Sequence, residues 1–321
     1  MNSASRTVRV ARIVDEAVDI RTYELVARDG QALPSFSAGS HIDVQVPGNA
    51  ARQYSLCNDP LETHRYLIGV LRDAGGRGGS LAMHDRVREG DLLEISTPKN
   101  HFALAHDAKR SLLLAGGIGI TPILCMAERL ANIGADFEMH YCTRSRERTA
   151  FLGRTAAPPL APRVRFHFDD GPRAQALDMS SLLAEPGPGA HLYVCGPEGF
   201  IAAALRNARA RGWLEAQLHC EFFAAAPAAS ADDVEFQVKL ASSGRLIGVP
   251  RDWTVVRALA AADVHIPVSC EQGVCGTCLT RVIEGEPDHR DLVLTSDEQA
   301  RNDQFLPCCS RSKSAVLVLD L

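Results

Sequence analysis

Cys270-Glu271-Gln272-Gly273-Val274-Cys275-Gly276-Thr277-Cys278 places three thiols on one short loop, and Cys308 follows after 29 further residues. The spacing C-x4-C-x2-C…C is that of plant-type [2Fe–2S] sites. Closely spaced thiolates wrap an iron pair, and a distant fourth closes the cage. Gly273 and Gly276 fall where a backbone folding around inorganic sulfide needs positive φ and close approach. Zinc is the main rival, but it usually gathers two well-separated C-x2-C pairs. Cys309 stands beside Cys308 and competes with it for the fourth position.

Moving outward from this loop, the tail opens on an alternating strand, VEFQVKL, at 234–240. Ahead of it, AAAPAASADD (224–233) is rich in Ala, Pro, Ser and acid, lacks periodicity, and reads as a linker. In the long part before the linker, the texture changes near residue 107. Upstream, short alternating stretches at 7–14, 22–27, 41–46 and 66–71 are separated by Gly, Pro, Asn or Asp, which predicts an antiparallel β-barrel. Downstream, the apolar runs SLLLAGG, FEMHYCT, VRFHF and HLYVCG alternate with the helical patterns TPILCMAERLANIG and GFIAAALRNARARG. Such alternation predicts a doubly wound parallel sheet. The expected domains are a barrel at 1–106, a nucleotide domain at 107–223, the linker at 224–233 and an iron–sulfur domain at 234–321.

The barrel carries Arg52-Gln53-Tyr54-Ser55-Leu56 on a strand, with Arg52 and Tyr54 on one face and Gln53 and Ser55 on the other. A glycine-dense loop, AGGRGGS (74–80), leads into a short helix. Its amides and the helix N-terminus make an anion site, to which Arg52 adds a charge-assisted fork. The same loop would also serve as an ordinary flexible turn. At 116–122, GGIGITP follows an apolar strand and precedes a helix, with Pro122 where a dinucleotide fingerprint has its third glycine. Thr121 is expected to cap that helix and Pro122 to occupy its first turn, leaving amides for a pyrophosphate. A second turn of this sort, CGPEGF (195–200), follows HLYV. Two such turns at strand carboxyl ends of one sheet place a ligand in the crevice above them. Cys195 there reads either as a small buried residue or as a compact group that lets a nicotinamide approach a flavin.

The chain has 46% hydrophobic and 23% charged residues and a net charge of −5, ordinary for a globular protein and unlike the basic surface of a nucleic-acid binder. No apolar run reaches the ~20 residues of a membrane helix. The N-terminal segment lacks a signal peptide's apolar core, so a cytoplasmic location is expected, where the ten cysteines serve as ligands, catalytic groups or small core residues.

RQYSL, GGRGGS, GGIGITP, CGPEGF and the cysteine spacing, in that order and over essentially the whole chain, resemble the phthalate dioxygenase reductase family. These are reductase components of Rieske-type aromatic ring oxygenases and O-demethylases. The resemblance implies a flavin barrel, a nucleotide domain and a C-terminal β-grasp ferredoxin of plant type, with FMN as the flavin. It assigns Arg52, Tyr54 and Ser55 to the FMN, Gly79 and Ser80 to its phosphate, and Phe223 to the isoalloxazine. Gly116, Gly117, Gly119, Thr121, Cys195, Gly196 and Pro197 would form the NAD crevice. The family pattern of Cys, a variable residue, Ser and Arg matches Cys308-Cys309-Ser310-Arg311, favouring Cys308 as fourth ligand beside Cys270, Cys275 and Cys278.

The implied reaction takes electrons from NADH through FMN to the [2Fe–2S] cluster, then one at a time to a Rieske-type terminal oxygenase. A flavin is needed because NADH gives two electrons and the cluster accepts one. Tyr54, Cys195 and Phe223 would shape the flavin–nicotinamide contact. Arg144, Arg146 and Arg148 could accept the 2′-phosphate of NADPH or form a solvated turn, and Asp169 or Asp170 could instead contact a ribose hydroxyl. The resemblance favours NADH. A cytochrome P450 or a soluble ferredoxin is the alternative acceptor, and a non-enzymatic iron–sulfur redox sensor is the rival of a different class.

Overall fold

The computed structural model describes residues 5–49, 51–76, 78–223, 233–268, 273, 276, 278–291 and 293–321. Residues 1–223 and 224–321 form two separate compact units. No described helix is long and apolar enough to cross a membrane.

The first unit begins with β1 (Ser5–Ala17), β2 (Ile20–Ala27), β3 (Ser40–Val44), β4 (Arg52–Ser55), β5 (Tyr66–Leu71), β6 (Leu92–Ser96) and β7 (Lys99–Asn100), with α1 (Gly79–Arg86) between β5 and β6. They pair antiparallel in the order β4-β3-β6-β1-β2-β5, with β7 on β3. A bridge between Leu56 and Ile68 brings the two edge strands together and closes the barrel. Alternation decides what fills it: Val8, Val10, Tyr23, Leu25, Ile42, Val44 and Ile68 are all fully buried in one cluster.

The same unit continues with β8 (Arg110–Gly116), α2 (Ile120–Asn132), β9 (Asp136–Thr143), α3 (Leu152–Thr155), β10 (Val164–Phe168), α4 (Met179–Leu182), β11 (Ala190–Gly196), α5 (Glu198–Ala210) and β12 (Leu218–Phe222). The five strands are parallel throughout, in the order β10-β9-β8-β11-β12. The order reverses between β8 and β11, the position where doubly wound sheets bind ligands. Leu113 and Ala115 of β8 pack with Ile123, Leu124 and Ala127 of α2. Thr121 is not the cap of α2. The cap position is Gly119, without a side-chain bond, and Thr121 lies inside the first turn, 2% exposed, its hydroxyl donating to the Ile118 carbonyl at 3.1 Å. A sequence-based capping rule misses this because the chain enters α2 through a 3₁₀ turn, Gly117–Gly119, two residues earlier than the Thr would set it. Thr121 instead faces the barrel: a Cβ on Gly69 of β5 would lie 2.8 Å from its Cγ2.

The second unit holds β13 (Phe236–Leu240), β14 (Leu246–Val249), α6 (Val255–Ala261), β15 (Thr280–Glu284), β16 (Pro287–Asp288), α7 (Ser296–Ala300), β17 (Gln304–Phe305), β18 (Arg311–Ser312) and β19 (Val316–Leu319). The sheet runs β14-β13-β19-β15-β17, with β13 and β19 parallel at its centre, and β16 pairs β18 separately. Val255, Ala258 and Leu259 of α6 join Phe236, Val238, Val249 and Leu317 in its core, giving the β-grasp. Thr254 caps α6, and Thr295 with Glu298 forms a capping box on α7.

Candidate redox and nucleotide site

Two glycine turns meet at the switch point of the parallel sheet. A Cβ on Gly119 would stand 2.3 Å from the Cys195 carbonyl oxygen, and one on Gly196 would stand 2.9 Å from Gly116 Cα. The chain ends of β8 and β11 therefore touch backbone to backbone, which only glycine permits. Gly117 takes φ 53, and Pro197 packs against Gly116. Gly116, Gly117, Gly119, Gly196 and Pro197 are thus brought together at the switch point, where no side chain larger than proline's stands among them, which suits the approach of a pyrophosphate to main-chain amides.

Cys195 is the next-to-last residue of β11, is fully buried, and pairs in register with Glu221 of β12. Burial pushes its thiol well above the ordinary value, so it is a neutral group at physiological pH. Glu221 accepts a hydrogen bond from Ser55 Oγ at 3.1 Å, which ties the nucleotide sheet to strand β4 of the barrel. Burial raises the Glu221 carboxyl to about 7, and the Ser55 hydroxyl pulls the other way. The motifs read from the sequence do not include Glu221. A carboxylate flanked by Cys220 and Phe222 in a strand was the available signal.

On β4, Tyr54 is half-buried against the barrel core, and burial raises its phenol to about 12. Arg52 reaches the start of α1: a Cβ on Gly79 would lie 2.7 Å from its Nε. Helix α1 starts after Gly78 at φ 78, with no side-chain cap and no acid in its first turn. Its leading amides and the nearby guanidinium, whose Nη1 donates to the Ala51 carbonyl at 3.0 Å, have the chemistry of a phosphate cradle. Ser80 meanwhile holds Asp73, accepting from its N–H at 3.1 Å. Phe223 follows β12 and is 39% exposed. Arg144 follows β9 and is exposed, and its carbonyl accepts from the Asp170 N–H at 3.2 Å.

In the second unit, Cys278 and Cys308 are 3% and 2% exposed and share one buried cluster with Leu306 and Cys309. Gly273 and Gly276 have φ 75 and 73, as the loop reading expects. A Cβ on Gly273 would lie 2.3 Å from Cys309 Sγ and 3.2 Å from Asp291 Cα. The Cys309 thiol is directed to the Leu306 carbonyl at 3.7 Å. Cys270 and Cys275 lie outside the described residues. A water-excluding pocket with two thiols and two left-handed glycines suits an iron–sulfur cluster.

A barrel with an anion cradle, a parallel sheet with a dinucleotide crevice and a β-grasp unit with buried cysteines together define a flavin- and nicotinamide-dependent iron–sulfur reductase. Residues 238–313 match the family described as the 2Fe-2S iron-sulfur cluster binding domain. The chain is 55% identical to a vanillate O-demethylase oxidoreductase of Pseudomonas sp. over 95% of its length and 96% of the relative's. It is 41% identical to a phthalate dioxygenase reductase of Burkholderia cepacia, covering 95% and 94%. Among solved structures, a phthalate dioxygenase reductase matches with TM-score 0.76 and 39% identity over 99% of this chain and 98% of that one. An intact type IV self-sufficient cytochrome P450 monooxygenase matches with TM-score 0.76 and 41% identity, over 99% of this chain and 41% of that one. The chain belongs to the phthalate dioxygenase reductase family. It is an NADH-dependent oxidoreductase that passes electrons through a flavin to a [2Fe–2S] centre.

Proposed function

We propose that this chain is the cytoplasmic reductase component of a Rieske-type aromatic oxygenase or O-demethylase system, with FMN as its flavin. The observation that carries the reading is the Ser55–Glu221 hydrogen bond. It joins the barrel strand bearing Arg52 and Tyr54 to the strand next to the Gly119–Cys195 crevice, so flavin and nicotinamide sites share one wall. A flavin held there would supply the conversion between the two-electron chemistry of NADH and the one-electron chemistry of an iron–sulfur centre.

The protein's own part is positioning. Arg52, Gly79 and Ser80 hold the FMN phosphate at the start of α1, where a cradle for one phosphate suits FMN. Tyr54 and Ser55 line the ring from the barrel, and Phe223 from the end of β12. Gly116, Gly117, Gly119, Gly196 and Pro197 bind the nucleotide, Thr121 braces their turn from the barrel side through its bond to the Ile118 carbonyl, and Cys195 leaves room for a nicotinamide to close on the flavin. Arg144 lies toward the adenosine end. Cys270, Cys275, Cys278 and Cys308 hold the cluster. The corresponding domains are 1–106, 107–223 and 234–321, with 224–233 as linker.

Anaerobic addition of NADH to the holoprotein is expected to bleach the flavin absorbance first and the cluster absorbance second. A cluster that stays oxidised would refute the order of carriers. Acid-released flavin should run as FMN; FAD would correct the cofactor. The similarity to a self-sufficient P450 over 99% of this chain favours a second acceptor, a cytochrome P450. Reconstitution separates the two: turnover with a Rieske oxygenase and none with a P450 supports the first.

A further inference from the structure

The hairpin between β1 and β2 turns through Val18 and Asp19, and Asp19 takes φ 64. Aspartate tolerates this left-handed conformation better than most residues. The tip docks on the nucleotide half of the same unit. The Val18 N–H donates to the Glu147 carbonyl at 2.9 Å, and Asp19 Oδ2 meets Arg148 Nη1 at 3.2 Å. Behind it, the Asp19 carbonyl accepts from the Arg72 N–H at 2.7 Å. The barrel thus grips the 3₁₀ turn Arg146–Arg148, which follows β9, through one main-chain bond and one ion pair.

That turn stands at the carboxyl end of the strand beside β8, where dinucleotide folds read the ribose 2′ position. An acid there accepts the 2′-hydroxyl of NADH, and an arginine accepts the 2′-phosphate of NADPH. Arg144 and Arg146 are exposed, whereas Arg148 is half-buried and engaged by Asp19. We propose that Asp19 is a specificity-determining residue: it holds Arg148 away from a 2′-phosphate and sets a carboxylate beside the place that phosphate would occupy, so the nucleotide lacking it is favoured. The inference rests on the assignment of the arginine turn to the adenosine ribose. Because the pair is about half exposed, its effect is a modest factor and not an absolute gate.

The test measures calorimetric binding of adenosine 2′,5′-bisphosphate and of AMP to the flavin-loaded protein, which reports on the adenosine end without turnover. Asp19→Asn and Asp19→Gly both accept the left-handed backbone. Each is expected to tighten the bisphosphate roughly threefold to fivefold relative to AMP. Arg148→Gln in the Asp19→Gly background should cancel the gain. An unchanged ratio in both Asp19 variants, with melting temperature and flavin content as in wild type, overturns the proposal. Arg144→Gln tests the assignment beneath it: if that variant binds both ligands as wild type does, the turn is not the ribose site and both ideas fall together.

Discussion

Glu221 concentrates the electrostatics of the nucleotide-side wall in one residue. Its carboxyl sits at about 7 against an ordinary 4.5 because burial disfavours the anion more than the Ser55 hydroxyl favours it. The folded state therefore binds a proton that the unfolded state releases between about pH 4.5 and 7. Below that window both states are protonated and burial is harmless. The penalty grows as pH rises through it and is complete above pH 7. Glu221→Gln removes the charge at every pH. The variant is expected to be more stable than wild type at pH 8 by about 1–2 kcal/mol, after discounting for partial exposure, and equal to it near pH 4.5. Melting curves across this range check it, and a gap independent of pH would mean the carboxyl ionises alike in both states. Gly119 fails differently. A Cβ there meets the Cys195 carbonyl, a backbone atom that cannot step aside. Gly119→Ala should cost about 1–3 kcal/mol by overpacking. It should also raise the KM for NADH more than tenfold while flavin content stays unchanged, which steady-state kinetics and absorbance would separate.

Elements built on periodic patterns were legible in the sequence, and those built on coincidence in space were not. Alternation in 22–27 and 66–71 and the apolar runs at β8, β9 and β11 announce strands because one face, or both, must leave water. The closing Leu56–Ile68 bridge spans 12 residues and the Val18–Glu147 grip spans 129, and no periodic pattern encodes either. Thr121 shows a local rule overruled: its hydroxyl satisfies Ile118 while its methyl packs under Gly69. The cluster loop is the opposite case, since positive φ at Gly273 and Gly276 follows from residue type and spacing alone. What the spacing did not reveal is that Cys309 fills the place of the missing Gly273 side chain. Three variants divide these roles. Gly273→Ala, strained at φ 75 and colliding with Cys309 Sγ, should lose most of the visible iron–sulfur absorbance. Cys308→Ser should abolish that absorbance, whereas Cys309→Ser should keep it. Loss in Cys309→Ser with retention in Cys308→Ser would exchange their assignments.

At the scale of the whole molecule, charge is distributed unevenly between the source and the exit of electrons. Residues 234–321 carry twelve Asp/Glu and nine Lys/Arg, so −3 of the chain's −5 lies in just over a quarter of its length, before any charge on the cluster. Delivery to a partner is a bimolecular encounter of the small, transient kind, whose rate responds to long-range fields. In the proposed arrangement, transfer from NADH to the flavin occurs inside the first unit, between groups fixed by the Gly119–Cys195 contact and the Ser55–Glu221 bond. The two steps should therefore differ in their response to salt. The Debye length shortens from about 30 Å at 0.01 M to about 10 Å at 0.1 M, enough to screen the long-range attraction between exposed charges. If the oxygenase presents a basic face, its reduction should slow about tenfold over that range, with flavin reduction by NADH changing less than twofold. Stopped-flow traces of both steps in the same buffers decide the matter. Partner reduction that is flat or faster with salt would mean that the acidic tail surface does not steer docking and that apolar contacts around the cluster carry it instead.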